Sequence, residues 1–289
     1  MLISEWLQTA ASELKLKGVE PYNLDSRLIL KHITGFNDTA IIAGNYKLSD
    51  AEIAKLNLVL QKRLAGQPLA YLLGSAGFFG RKFFVEPGVL IPRAETEGLI
   101  ENIIALNLPP EPSILDVGTG SGIIGITLAL EIEKSEVTIS DFSPAALKVA
   151  SHNVNKFIDQ INAKDSKIKM VESDLLGAFA SAKFNLIVAN LPYVDASWDW
   201  LNLNQLSYEP SEALFADSGG LGLIKKLISS SRNNLISGGF LVLEMDPCQI
   251  AEASEFALDQ GFEILEKIEG SLSDFVLILR NNEGELEPN

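Results

Sequence analysis

"ILDVGTGSGIIG", residues 114–125, decides the fold. Its apolar start reads as a strand that ends at Asp116, and an apolar helix opens near Ile123. Between them stand Gly118, Thr119, Gly120, Ser121 and Gly122. Glycine takes positive φ at no steric cost and lets a ligand approach the backbone. A helix N-terminus offers unpaired N–H groups and a positive dipole end. A strand, a glycine turn and a helix in that order hold a ligand at the carboxyl edge of a parallel sheet. Gly120, Gly122 and Gly125 also spell GxGxxG, which brings a dinucleotide into question, but that pattern alone is weak. Asp116 weighs against it. A carboxylate two residues before the first glycine repels a pyrophosphate and attracts a ligand ammonium group.

The next strands end in the same manner. "VTISDFS" closes on Asp141, 21 residues after Gly120. That is close to the ~20 expected of an acid that holds ribose hydroxyls. "VESDLL" places Asp174 at a third strand end, followed by Leu175 and Leu176. An Asp there accepts from an exocyclic adenine amine, and the leucines wall the ring. Taken singly, each Asp reads as a helix cap or a turn residue. Taken together they describe a ligand with an ammonium, a ribose and an adenine. S-adenosylmethionine fits that description better than NAD.

From about residue 95 onward strands and helices alternate. "SILDV", "EVTIS", "KIKMVES", "FNLIVAN" and "GGFLVLEM" read as strands, with helices between them. This implies a mostly parallel sheet covered on both faces, with an antiparallel hairpin formed at one edge by "FEILEKI" and "SDFVLILR". Residues 1–75 read as a small helical domain. Trp6, Leu7, Ala10, Ala11 and Leu14 recur at helical spacing, Ser49 or Asp50 caps a later helix, and Gly66 stops it. Aromatic and branched residues around Gly80 suggest a β-hairpin linker over 76–93. The α/β domain then spans 94–281, and 282–289 form a polar, acidic tail.

Composition narrows the function classes. The chain has 289 residues, 47% hydrophobic, with a formal charge of −15. Such a balance argues against strong binding to nucleic-acid backbones. No apolar run approaches the roughly 18 residues of a membrane span, so no membrane role is expected. The start has no basic region before an apolar one and does not read as a signal peptide. One cysteine, Cys248, suits a cytoplasmic location. Two histidines, His32 and His152, give no basis for a histidine-rich metal site.

"ANLPYV", residues 189–194, closes the fourth strand of the series and therefore lies beside the proposed methyl donor. An amide nitrogen is a poor nucleophile because its lone pair is delocalised. Acceptors on its two hydrogens push electron density back toward nitrogen. The Asn190 side-chain oxygen and the Leu191 carbonyl would supply them, Pro192 would set the turn, and Tyr193 would stack on the planar group. Positioning and aimed dipoles would account for much of the rate.

With "LDVGTGSG", this element resembles the amino-methyltransferases that carry [ND]-P-P-[YF]. The fuller resemblance is to the HemK/PrmC family of release-factor glutamine methyltransferases. "QPLAYLLG", "GFFGRKFFVEPGVLIPRAETEGLIE", "YEPSEALFADSGGLGLIKKL" and "SGGFLVLEM" carry it. It implies a Rossmann-like, seven-stranded methyltransferase domain behind a helical domain and a hairpin. It also implies transfer from S-adenosylmethionine to the glutamine of the Gly-Gly-Gln motif in class I peptide chain release factors, which the helical domain grips. Gly118 to Gly122, Asp141, Asp174, Leu175 and Asn190 would then contact the cofactor, and Asn190 to Tyr193 the glutamine amide.

Leu191 and Ala94 stand where that family has proline, and Asp246 where it has glycine. Asn-Leu-Pro-Tyr is also the spelling of ribosomal RNA adenine dimethylases, but those place the glycine loop near the N-terminus. A ribosomal-protein glutamine methyltransferase shares most of the motifs. A non-catalytic adenosine-binding adaptor would have lost the ribose acid or the Asn-x-Pro-Tyr element, and both are intact.

Overall fold

The structure, a computed structural model, describes residues 1–198, 206–265 and 275–282. Residues 266–268 and 273–274, read from the sequence as parts of the last two strands, the stretch between them, and 283–289 of the expected tail lie outside the described residues. The chain divides into two compact units, Met1–Ser75 with Asn202–Tyr208, and Ala76–Leu201 with Glu209–Asn289.

The first unit holds helices α1 (Ile3–Leu16), α2 (Tyr22–Thr34), α3 (Asp38–Ala43), α4 (Asp50–Leu64) and α5 (Leu69–Leu73). Trp6, Ala10 and Leu14 of α1 are buried against Ile29 and Leu30 of α2 and Leu56 and Leu60 of α4. Ser49 caps α4. Its Oγ accepts from the Glu52 N–H, and Glu52 Oε2 accepts from the Ser49 N–H at 2.8 Å, a reciprocal capping box.

From Ser75, the last residue of the first unit, the chain enters the hairpin β1 (Ser75–Phe78) and β2 (Arg81–Phe84), turning at Phe79 and Gly80, both at positive φ. Helix α6 (Glu95–Ile104) leads to β3 (Ser113–Val117), α7 (Ile123–Glu131), β4 (Glu136–Asp141), α8 (Pro144–Ala163), β5 (Lys167–Glu172) and β6 (Phe184–Ala189). Then come α9 (Gly222–Ser231), β7 (Leu235–Glu244), α10 (Ile250–Asp259), β8 (Phe262–Leu265) and β9 (Val276–Asn281). The seven-stranded sheet runs β5-β4-β3-β6-β7-β9-β8. Its pairs are parallel from β5 to β7, and β9 is antiparallel to both β7 and β8.

Alternation along the strands builds two cores. Ile114, Leu186, Val188 and Val242 pack with α6, α7 and α8. Leu115, Val117, Ile187, Ala189, Leu241 and Leu243 pack with α9 and α10. This is the doubly covered sheet that the apolar runs imply. The chain travels from β3 outward to β5, then returns to lay β6 on the other side of β3. That reversal opens a crevice at the carboxyl ends of β3 and β6, where sheets of this kind bind ligands.

The register of α7 on the sheet depends on one missing side chain. A Cβ on Gly125 would strike the Ile139 Cγ2 methyl of β4 and press on the Asp116 carboxylate at 3.1 Å. Both neighbours are buried and have nowhere to go. Gly125→Ala should therefore destabilise the chain by about 1–3 kcal/mol, as overpacking does, despite alanine's better helix propensity. Chemical denaturation reads this; an unchanged or raised midpoint would contradict the close approach.

Candidate active site

A cavity of about 510 Å³ sits at the carboxyl edge of the sheet, within the second unit. Gly118, Thr119, Gly120, Ser121, Asp141, Asp174, Leu175, Asn190, Leu191 and Pro192 all line it. Four of the residues singled out in the sequence do not, Leu176 among them, which is buried in the core. Asp116, Gly122 and Tyr193 lie behind the wall rather than on it.

The glycine loop is held from below. Gly118, Gly120 and Gly122 have φ of +71°, +54° and +83°, a region L side chains rarely adopt. A Cβ on Gly118 would come within 2.8 Å of Leu191 Cδ2, whereas one on Gly120 would meet nothing. The loop thus packs on one side and stays open on the other. Asp116 is fully buried, and its Oδ2 accepts from Thr119 Oγ1 at 2.5 Å and the Gly125 N–H at 2.9 Å. It braces the turn instead of facing a ligand ammonium, because its side chain leaves β3 toward the start of α7. Its Oδ1 is buried with no hydrogen-bond partner, and burial pushes its pKa from 3.8 up to about 7.

Asp141 ends β4 and ties the loop to that strand. Its Oδ2 accepts from the Gly120 N–H and its Oδ1 from the Ser143 N–H, each at 2.9 Å. Each oxygen keeps a second lone pair. Burial raises its pKa against these bonds. At the next strand end Leu175 has φ +45°, and Ser173 Oγ donates to its carbonyl at 2.9 Å, turning the Asp174–Leu175 corner into the cavity.

Asn190 follows β6 directly, and its amide is anchored twice. Nδ2 donates to Glu244 Oε1 at 2.7 Å and to Thr96 Oγ1 at 3.1 Å. Both amide hydrogens are thereby engaged, so Oδ1 is the end left to meet a ligand. The backbone beyond it is clamped. Gln249 Nε2 donates to the carbonyls of Tyr193 and Gly219 at 2.8 and 2.7 Å. Gly220 leaves room for the Tyr193 carbonyl, which a Cβ there would strike. Tyr193 points its hydroxyl at Glu244 Oε1, 3.4 Å away. It packs into the core beside α9, so in this geometry it is a brace and not a stacking platform.

Sequence reasoning passed over several of these supports. Thr96 and Glu244 lie 94 and 54 residues from Asn190. Glu209, nearly buried, accepts from the Ile91 N–H at 2.9 Å and pairs with Arg93 at 2.6 Å, fixing the Ile-Pro-Arg stretch that borders the cavity. Asn153 of α8 bonds the Phe84 backbone in both directions and the Ser121 carbonyl, joining hairpin to glycine loop. The one available signal was position: Glu244, like Asp141, is a carboxylate at the end of a parallel strand.

The PrmC N-terminal domain family matches residues 5–74, and the methyltransferase small domain family matches residues 96–270. The release factor glutamine methyltransferase of Escherichia coli (strain K12) is 37% identical over 246 residues, 84% of this chain and 86% of that protein. That of Burkholderia pseudomallei (strain K96243) is 34% identical over 281 residues, 96% of each chain. The chain belongs to the release factor glutamine methyltransferase family. A methyltransferase from Pyrococcus furiosus, 15% identical, shares the fold with a TM-score of 0.51 over 77% of this chain and 97% of its own.

Against the family's usual proline, Leu191 is 5% exposed, with its side chain under Gly118. The substitution thus adds a packing contact where it removes a ring. Ala94 precedes α6 in helical conformation, where no proline is required.

The buried carboxylates have a consequence for stability. Glu244, like Asp116, is pushed up to about 7, chiefly by burial and then by the nearby Glu95 charge. Between their ordinary values and about 7 the folded chain binds more protons than the unfolded one, so stability falls as pH rises through that window. Asp38, Glu52 and Asp195 are held below their ordinary values and act only at lower pH. Tm of the unliganded chain should fall between about pH 4.5 and pH 7, and the double variant Asp116→Asn, Glu244→Gln should flatten the curve. Equal slopes in both proteins would contradict these assignments.

Proposed function

We propose that the chain methylates the side-chain amide nitrogen of the glutamine in the Gly-Gly-Gln motif of class I peptide chain release factors, working in the cytoplasm. Family membership over most of the chain supports the substrate. One observation carries the chemistry: the Asn190 amide, anchored through both hydrogens, presents only an acceptor to the cavity.

The residues present fit S-adenosylmethionine. Gly120 leaves open space where a side chain would otherwise stand, and Asp141 has free lone pairs for ribose hydroxyls. Asp174 and Leu175 form the corner for the adenine, and the backbone from Gly118 to Gly122 receives the rest. When bound, the cofactor supplies an electrophilic methyl group on a sulfonium. Asn190 Oδ1 accepts one hydrogen of the glutamine amide and the Leu191 carbonyl the other. With both hydrogens held, density returns to nitrogen at the moment of attack. Pro192 and the Gln249 clamp keep the two acceptors at fixed separation, which turns an encounter into a positioned reaction. The product amide sheds its extra proton to water, so no dedicated base is needed.

Two variants test the assignment. Asn190→Ala should abolish transfer of labelled methyl to a release factor while cofactor affinity stays within about tenfold, or ~1.4 kcal/mol. Retained turnover would remove Asn190 from the reaction. Asp141→Ala should weaken cofactor binding by calorimetry; unchanged affinity would count against the ribose assignment.

A further inference from the structure

We propose that Glu244 and Thr96 form a positioning pair that dictates which end of the Asn190 amide faces the substrate, and that ionisation of Glu244 gates turnover. The inference rests on the role given above to Asn190. An asparagine amide is nearly symmetric in shape, and a flip of its end group exchanges an acceptor for a donor. Presented with NH2 in place of Oδ1, a substrate amide hydrogen would meet another hydrogen. The site therefore needs something behind Asn190 that tolerates only one orientation.

Glu244 supplies it. The residue ends β7, is 1% exposed, and places Oε1 2.7 Å from Asn190 Nδ2. An ionised carboxylate only accepts, so it admits the NH2 end and rejects the oxygen. Thr96, buried at the start of α6, takes the second hydrogen at 3.1 Å. Glu244 is absent from the cavity wall and acts through Asn190, whereas Thr96 lies on the wall. Glu244 Oε2 is buried with no hydrogen-bond partner, so a charge sits there at evident cost. A residue kept only for stability would not carry that cost in an otherwise apolar strand end.

The same burial makes the device sensitive to protons. The groups that face Glu244 are Glu95, whose charge disfavours ionisation, and the Thr96 hydroxyl, the Tyr193 hydroxyl and the Asn190 amide, which favour it. Tyr193 in turn feels Glu95, Asp246 and Arg93, and Arg93 is engaged by Glu209. With Glu244 near 7, acidification places a proton on the carboxyl. It can then donate to Asn190 Oδ1, and the flipped amide becomes acceptable.

The test measures kcat and KM against pH for the full chain, with S-adenosylmethionine and a whole release factor. The wild type should show an acid limb in kcat near pH 7. Glu244→Gln, whose amide donates as well as accepts, should lower kcat at least about tenfold, keep both KM values within about threefold, and lose that limb. A kcat within about twofold of wild type, or a limb that persists in Glu244→Gln, overturns the proposal. A persisting limb would point to Asp116, which titrates in the same range. If Glu244→Gln does not fold, Thr96→Val should lower kcat and Thr96→Ser restore it; equal rates in the two overturn the pair. Asn190→Ala run alongside separates the failures. If it loses turnover while Glu244→Gln keeps it, only the positioning pair fails; if it also keeps turnover, the reading of Asn190 itself falls.

Discussion

The Asn190 amide has two hydrogens, and both are taken, one by Glu244 and one by Thr96. Much of the second unit serves that arrangement. The parallel pairing of β6 with β7 puts Ala189 opposite Leu243, and therefore Asn190 within reach of the Glu244 carboxylate. Helix α6 brings Thr96 from the other side. Pro192, the Gln249 side chain and the Gly219–Gly220 turn hold the backbone that follows. What remains exposed to a ligand is one side-chain oxygen and the backbone that follows it.

The cofactor half of the site follows the same logic with different parts. Asp116 and Asp141 occupy the ends of adjacent strands, yet they do unlike work. Asp116 turns inward and spends its carboxylate on Thr119 and Gly125, fixing the bend of the glycine loop. Asp141 lines the cavity and binds the loop through Gly120. Burial of charged or chargeable groups is costly, and hydrogen bonds offset only part of it. The chain accepts that cost at Asp116 and Glu244, one behind each half of the site, where a fixed acceptor is needed and water must stay out.

Much of this was legible in the sequence because the signals are local. Apolar runs of strand length, each followed by an acid or an amide, mark the ends of β3, β4, β5 and β6 within a few residues. Glycines at 118, 120 and 122 announce a turn that only they tolerate, and the structure gives all three positive φ. Side-chain direction was not legible. Whether Asp116 and Tyr193 face the cavity or the core depends on the torsions of two turns and on what packs behind them. Nor was Glu244 marked as part of the site, since its partner lies 54 residues away and only the strand order brings them together. Gly125 shows the same limit. It completes a GxGxxG spelling, yet its role is to let α7 lie close on Ile139.

Transfer of labelled methyl from S-adenosylmethionine to a purified release factor, compared with the same factor carrying Gly-Gly-Ala in place of Gly-Gly-Gln, is the most direct test of what this site does. Label on the Gln form alone is the expected result, because only an amide offers the two hydrogens that Asn190 and Leu191 are proposed to accept. Equal label on both forms, or none on either while the cofactor still binds, would contradict the assignment of that glutamine as the substrate.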